Sequence, residues 1–189
     1  MSWLDAIRGL GKPAPKRVLV TGGARSGKSR FAERLLEGHD LVEYVATADP
    51  EALDAEFAAR VDAHRRRRPD GWTTTETCDL VGVLGRPGPP VLIDCLSLWL
   101  AHACERSGLW EEAAGADAAL ARVIDELVDA WGQSPRRIVA VTNEVGSGVV
   151  PDTLSGRRYR DELGILNARI AAVSTEIWLV VAGRPLRLP

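Results

Sequence analysis

Short apolar runs recur along the chain, separated by segments of helical period. Arg17–Thr21 (RVLVT), Val42–Ala46 (VEYVA), Pro90–Asp94 (PVLID), Arg137–Thr142 (RIVAVT) and Glu176–Val181 (EIWLVV) are five or six residues long and rich in Val, Ile and Leu, as strands are. The unbroken apolar stretch ahead of Asp94 suits a strand covered on both faces. Between the strands the period changes. Helices are expected over about Ser29–Leu36, over the polar segment Glu51–Arg67, and over about Leu154–Ser174. Pro69-Asp70-Gly71 is a turn signal that closes the polar helix. Ala116–Trp131 sets Leu120, Val123, Ile124, Leu127 and Trp131 on one stripe, the pattern of a helix with one buried face. Such alternation predicts an α/β fold of three layers, a mostly parallel sheet with helices on both faces.

The 189 residues suit one domain, expected over 17–189. Residues 1–16 read as a leader, with a short helix over Trp3–Leu10 and a linker over Gly11–Lys16; they lack the apolar core of a secretory signal. A net charge of −2 supplies no basic field to attract nucleic acid or anionic lipid. No stretch reaches the roughly 18–20 apolar residues of a membrane span. Cys78, Cys95 and Cys104 form no CxxC pair, and His39, His64 and His102 are the only histidines. That argues against a disulfide framework and against zinc, and for reduced thiols in a cytoplasmic protein.

The most specific signal lies between the first strand and the first helix. Gly22-Gly23-Ala24-Arg25-Ser26-Gly27-Lys28-Ser29 has the form G-x-x-x-x-G-K-[ST], a P-loop in its required context. Glycines let successive N–H groups turn toward phosphate oxygens, and the following helix adds its positive end. Lys28 is expected to reach the β- and γ-phosphates of a nucleoside triphosphate, and the Ser29 hydroxyl to bind Mg²⁺. Asp94 ends an apolar strand at the same sheet edge. It reads as a second Mg²⁺ residue, direct or through water, or as a helix N-cap.

Arg60-Val61-Asp62-Ala63-His64-Arg65-Arg66-Arg67-Arg68-Pro69 is a second anomaly. Arginines in such a run commonly end a solvated helix. Beside a phosphate loop they also offer polyphosphate the cations it needs. A neutral imidazole is a competent nucleophile toward phosphorus. Neighbouring guanidinium groups are expected to lower the pKa of His64 and keep it unprotonated.

Taken together, VTGGARSGKSRFAE, YVATA, R-x-x-x-H-R-x-x-R-P-x-x-W-x-T-x-E, LIDCLSLWL, TNEVGSGVVP and RRYRDELGILN resemble one family. It is the bifunctional adenosylcobinamide kinase / adenosylcobinamide-phosphate guanylyltransferase of cobalamin biosynthesis. The resemblance runs from about Arg17 to the C-terminus. It implies a P-loop NTPase fold of the RecA-like kind and two reactions. A nucleoside triphosphate, ATP or GTP, phosphorylates the aminopropanol hydroxyl of adenosylcobinamide. GMP from GTP then passes through a histidine to the product phosphate, giving adenosylcobinamide-GDP.

By place in the motif, His64 is the residue that would carry GMP; some relatives have a further histidine where this chain has Ala63. The resemblance also implies nucleotide contacts from Ala46, Thr47, Ala48, Arg65, Arg66, Arg67, Arg68, Glu76 and Asp94. Glu76 would accept from guanine N1–H and N2–H, or be an exposed strand residue; Trp72 would wall the pocket or pack in the core. Glu144 would assist the substrate hydroxyl as a base, or serve its loop. Arg157, Arg158, Arg160 and Asp161 would meet substrate phosphate or a neighbouring subunit, or face solvent. A homo-oligomer, a trimer with sites near its interfaces, is implied as well. Two other readings stay open: a P-loop kinase of a small metabolite in which His64 is structural, and a nucleotide-controlled binding module.

Overall fold

The structure, a computed structural model, describes residues 16–47 and 68–189. Twelve elements follow in chain order: β1 (Arg17–Thr21), α1 (Lys28–Arg34), β2 (Val42–Ala46), β3 (Trp72–Glu76), α2 (Leu80–Gly85), β4 (Val91–Asp94), α3 (Leu96–Arg106), α4 (Ala116–Gln133), β5 (Ile138–Val141), α5 (Leu154–Ala172), β6 (Glu176–Val181) and β7 (Arg184–Leu188). Expected helices at Trp3–Leu10 and Glu51–Arg67 lie outside the described residues.

Among the described residues the strands form one seven-stranded sheet in the order β3-β2-β4-β5-β1-β6-β7. All pairings are parallel except β6 with β7. The phosphate-loop strand β1 and the Asp94 strand β4 are thus not neighbours; β5 lies between them. Register carries one row across the sheet: Glu76, Ala46, Asp94, Val141, Val20 and Trp178 stand side by side. Because side chains alternate faces, this row shares one face.

On that face Phe31, Ala32 and Leu36 pack over Val18, Val20, Tyr44, Leu92, Val139 and Val141. The opposite face is thicker. There Leu19, Val45, Ile93 and Ala140 lie under Leu80 and Leu84 of α2, Leu96 and Leu100 of α3, Leu120, Ile124, Leu127 and Trp131 of α4, and Leu163 and Leu166 of α5. The α4 stripe is the one its periodicity predicts, with Val123 partly buried at its margin. Truncating a fully buried member such as Leu127 to alanine would cost about 2–5 kcal/mol.

β3 and β7 escape the apolar pattern for a physical reason. Each is an edge strand, and neither needs apolar side chains on both faces. β3 (WTTTE) exposes several of its side chains, and β7 (RPLRL) places Pro185 at an edge, where a missing N–H is tolerated. A two-residue turn of Ala182 (φ 48°) and Gly183 (φ 76°) joins β6 to β7, the doubly positive geometry that suits a twisted hairpin.

At the N-terminal edge of the sheet a charge is buried. Glu43 of β2 pairs with Arg136 at 2.8 Å and with Arg86, and accepts from Thr75 Oγ1 at 2.9 Å. Arg136, 2% exposed, also donates to the carbonyls of Pro89 (2.7 and 2.9 Å) and Val83 (3.1 Å). Burial alone would raise the Glu43 pKa; the Arg136, Thr75 and Arg86 contacts outweigh it and hold the carboxyl below its usual value.

Candidate nucleotide site

The phosphate loop leaves β1 and closes on α1 without a side-chain cap. Gly27 is the N-cap residue at φ 93°, a conformation that glycine adopts without strain. A Cβ at Gly22 would stand 2.5 Å from Val180 O and 2.8 Å from Ser26 Oγ, so the loop can pass here only as glycine. The β6–β7 hairpin props the loop from behind, with Gly183 N–H donating to Ser26 O at 2.9 Å. In the sequence the trace of this support is the Ala182-Gly183 pair after an apolar strand.

Gly23, Ala24 and Arg25 are exposed at the loop's crest, and Ser29 is half-buried on the first turn of α1. Lys28 Nζ folds over the loop and donates to Gly23 O at 3.0 Å. Among the described residues Ser26 Oγ is buried without a hydrogen-bond partner, lying inward against Gly22 of the same loop. These features fit a polyphosphate: a glycine-only passage, a helix N-terminus, a lysine over the rim and an inward hydroxyl.

At the same edge the row places Ala46 between Glu76 and Asp94. Strand spacing puts Asp94 roughly 10 Å from the axis of β1, with β5 between. Tyr44 OH donates to Asp94 Oδ2 at 2.6 Å. Burial, then the Asp94 charge, pushes the Tyr44 pKa far up, so the phenol stays a donor. Arg68 lies over the Tyr44 ring, 3.3 Å from its centroid, and donates to Thr74 Oγ1 at 2.8 Å. Tyr44 thus links two of the candidate residues, Asp94 and Arg68, although in the sequence it looks like one more apolar strand position.

Asp94 does not cap α3; that position belongs to Cys95. Thr47 is 2% exposed, and its hydroxyl is tied on both sides to Cys95, donating to the carbonyl at 2.7 Å and accepting from the N–H at 3.0 Å. That pair locks the ends of β2 and β4 together just past Ala46 and Asp94. Trp72 is half-buried and packs against the α1-side core. Beside Glu76, which is exposed, opens a groove of about 980 Å³ lined by Cys78, Trp99, His102, Arg106 and Arg122 among others.

Other expected residues make contacts within the chain. Glu144 Oε1 accepts from Gly146 N–H at 3.0 Å, within its own loop. Arg157 donates to the carbonyls of Pro151 and Asp152, Arg160 to that of Gly146, and Arg158 pairs with Asp117 of α4. Arg157 and Arg160 fasten the segment after β5 to α5, and Arg158 ties α5 to α4. Ala48, His64, Arg65, Arg66 and Arg67 lie outside the described residues.

The chain matches the family model described as cobinamide kinase / cobinamide phosphate guanyltransferase over residues 18–188. The bifunctional adenosylcobalamin biosynthesis protein CobU of Escherichia coli is 39% identical over 176 residues, covering 88% of this chain and 96% of that one. Its counterpart in Salmonella typhimurium is 39% identical over 180 residues, with the same coverage. The protein CobP of Pseudomonas aeruginosa is 41% identical over 177 residues, covering 91% of this chain and 96% of that one. Among solved structures, the P4 protein from bacteriophage phi6 in complex with ADP matches at a TM-score of 0.40 and 17% identity, over 94% of this chain and 55% of that one. So distant a likeness adds nothing to the fold already described. A phosphate loop facing an aspartate across one sheet edge, and relatives matched over nearly their whole length, lead to one conclusion: the chain belongs to the cobinamide kinase / cobinamide phosphate guanyltransferase family.

Proposed function

We propose that this chain performs both reactions of its family at the C-terminal edge of its sheet. The observation that carries the reading is the gathering at that edge of the phosphate loop, Asp94 and Glu76, in a chain of that family. In the kinase step the aminopropanol oxygen of adenosylcobinamide forms a bond to the γ-phosphorus of ATP or GTP. The β–γ bridging bond breaks, the nucleoside diphosphate leaves, and the hydroxyl proton passes to water. Gly22 to Ser29 hold the triphosphate, and Lys28 moves from Gly23 O to the β- and γ-oxygens. Ser29 and Asp94 are the residues that would hold Mg²⁺, which when bound offsets phosphate charge. Tyr44 orients the Asp94 carboxylate for that role.

In the transferase step His64 attacks the α-phosphorus of GTP. A nitrogen–phosphorus bond forms, pyrophosphate leaves, and the phosphate of adenosylcobinamide-phosphate then displaces the histidine to give adenosylcobinamide-GDP. Two displacements replace one difficult transfer. Glu76 reads the guanine N1–H and N2–H, and the groove beside it has room for the base. Ala46, Thr47 and Ala48 line the nucleoside, and Arg65 to Arg68 neutralise its phosphates. The assembly is a homotrimer acting in the cytoplasm on a corrinoid, without nucleic acid. The test is incubation with GTP labelled in the α-phosphate, followed by denaturation. Acid-labile label on the wild type that is absent from His64→Ala supports the reading. Equal label on His64→Ala, or none on a wild type proven to bind GTP, overturns it.

A further inference from the structure

The junction between the ends of β4 and β5 holds a hydrogen-bonded chain that neither reaction above uses. Pairing of β5 with β1 continues past Val141. Thr142 N–H donates to Val20 O at 2.9 Å, and Glu144 N–H to Gly22 O at 3.1 Å. Asn143 therefore stands beside the first glycine of the phosphate loop. On its other flank, Asp94 pairs with Val141 and α3 begins two residues after Asp94. Asn143 bridges that gap, its Nδ2 donating to Ser97 Oγ at 2.9 Å.

Every partner in the chain is itself held. Ser97 is 1% exposed; its Oγ also meets Cys95 Sγ at 2.9 Å, and its carbonyl accepts from Tyr159 OH at 2.9 Å. The Asn143 carbonyl accepts from Asn167 Nδ2 at 3.0 Å, and Asn167 Oδ1 accepts from Thr142 Oγ1 at 2.7 Å. A carboxamide has two donor hydrogens and one acceptor oxygen. Since Ser97 takes a donor, Oδ1 is directed away from Ser97. Asn143 is half-buried, and among the described residues its Oδ1 has no protein partner. An oriented acceptor thus stands between the phosphate loop and the aspartate strand.

We propose that Asn143 Oδ1 binds the acceptor oxygen of phosphoryl transfer by accepting its hydrogen bond, and that Ser97 is the positioning residue that aims it. This rests on the kinase reading above and names the group that places its acceptor hydroxyl. The amide takes no proton: the acceptor oxygen bonds to the γ-phosphorus, the β–γ bridge breaks, and the proton goes to water. A neutral acceptor suits the place, because a second carboxylate beside Asp94 would repel the triphosphate. Where no corrinoid is bound, water occupies the same position, so basal hydrolysis of GTP reports on the same contact.

The test compares wild type with Asn143→Ala, Asn143→Asp, Ser97→Ala and Ser97→Thr. It measures GTP turnover with and without cobinamide, together with nucleotide KM and melting temperature. Asn143→Ala is expected to lower kcat roughly thirty-fold in both assays, the loss of one well-placed hydrogen bond, with nucleotide KM little changed. Ser97→Ala should lose part of that rate and Ser97→Thr, which keeps the hydroxyl, should recover it. Asn143→Asp should regain rate as pH falls and its carboxyl protonates, a response absent from wild type. A kcat near wild type in Asn143→Ala overturns the proposal, as does a loss that follows KM or melting temperature. Should Asn143→Ala fail to fold, a rate in Asn143→Asp with the pH dependence of wild type overturns it equally. A wild type that hydrolyses GTP but leaves cobinamide unphosphorylated defeats the kinase reading, while the hydrolysis series still decides the role of Asn143.

Discussion

The two ends of β2 and its neighbours each carry a carboxylate, and the two are treated in opposite ways. At the N-terminal edge Glu43 is surrounded: Arg136, Arg86 and Thr75 take up its oxygens, and the arginine that matters most is itself spent on backbone carbonyls. At the C-terminal edge Asp94 receives, among the described residues, only the Tyr44 hydroxyl. The same strands thus build a closed ion cluster at one end and an open carboxylate at the other. A charge with every partner supplied by the chain holds the fold; a charge left with capacity at the edge of a phosphate loop can still take a ligand.

Substitutions can break that contrast. Arg136→Ala should have the largest effect, about 3–5 kcal/mol of stability, because it takes the buried partner from a buried carboxylate and the donors from the carbonyls of Pro89 and Val83. Chemical denaturation measures it, and turnover per folded molecule should be unchanged. Asp94→Asn should do the reverse, lowering phosphoryl-transfer kcat by about 10²–10³ while leaving the melting temperature nearly untouched. A large stability loss in Asp94→Asn would erase the distinction.

Acid sharpens it further. The folded pKa of Glu43 is depressed, so its pairing stabilises the protein fully above the unfolded carboxyl value of about 4.3 and is lost as pH falls through the folded one. Stability measured against pH should show this acid limb in wild type and a shallower one in Arg136→Ala. The smallest effect is expected of Tyr44→Phe, which removes one donor from Asp94. Stability should change by about 1 kcal/mol, and the Mg²⁺ concentration for half-maximal rate should rise.

The sequence made some of this plain and left some of it dark. β1, β2, β4, β5 and β6 were legible because the inner strands of this sheet are mostly apolar, Glu43 and Glu176 excepted. The phosphate loop was legible because its glycines answer to sterics that no other residue meets, as Gly22 beneath Val180 shows. β3 was not, since an edge strand of threonines carries no apolar signal. The Glu43–Arg136 cluster was also hidden: 93 positions separate its members, and the registers of β2 with β4 and of β4 with β5 together bring them near. Tyr44 and Asn143 were hidden for another reason. Each looks like an ordinary strand or loop residue until the sheet order shows what lies beside it. The contacts of Arg157 and Arg160 were hidden too, since only the fold brings their guanidinium groups onto the carbonyls of Pro151, Asp152 and Gly146.

That one sheet edge serves both reactions is tested most directly by Lys28→Ala. Transfer of the γ-phosphate to cobinamide and attachment of α-labelled GMP to the protein would be followed in the same preparation, with folding checked by its melting curve. Both are expected to fall together if both draw their triphosphate from the loop between Gly22 and Ser29. A variant that loses the kinase reaction but accumulates protein-bound GMP at the wild-type rate would contradict it.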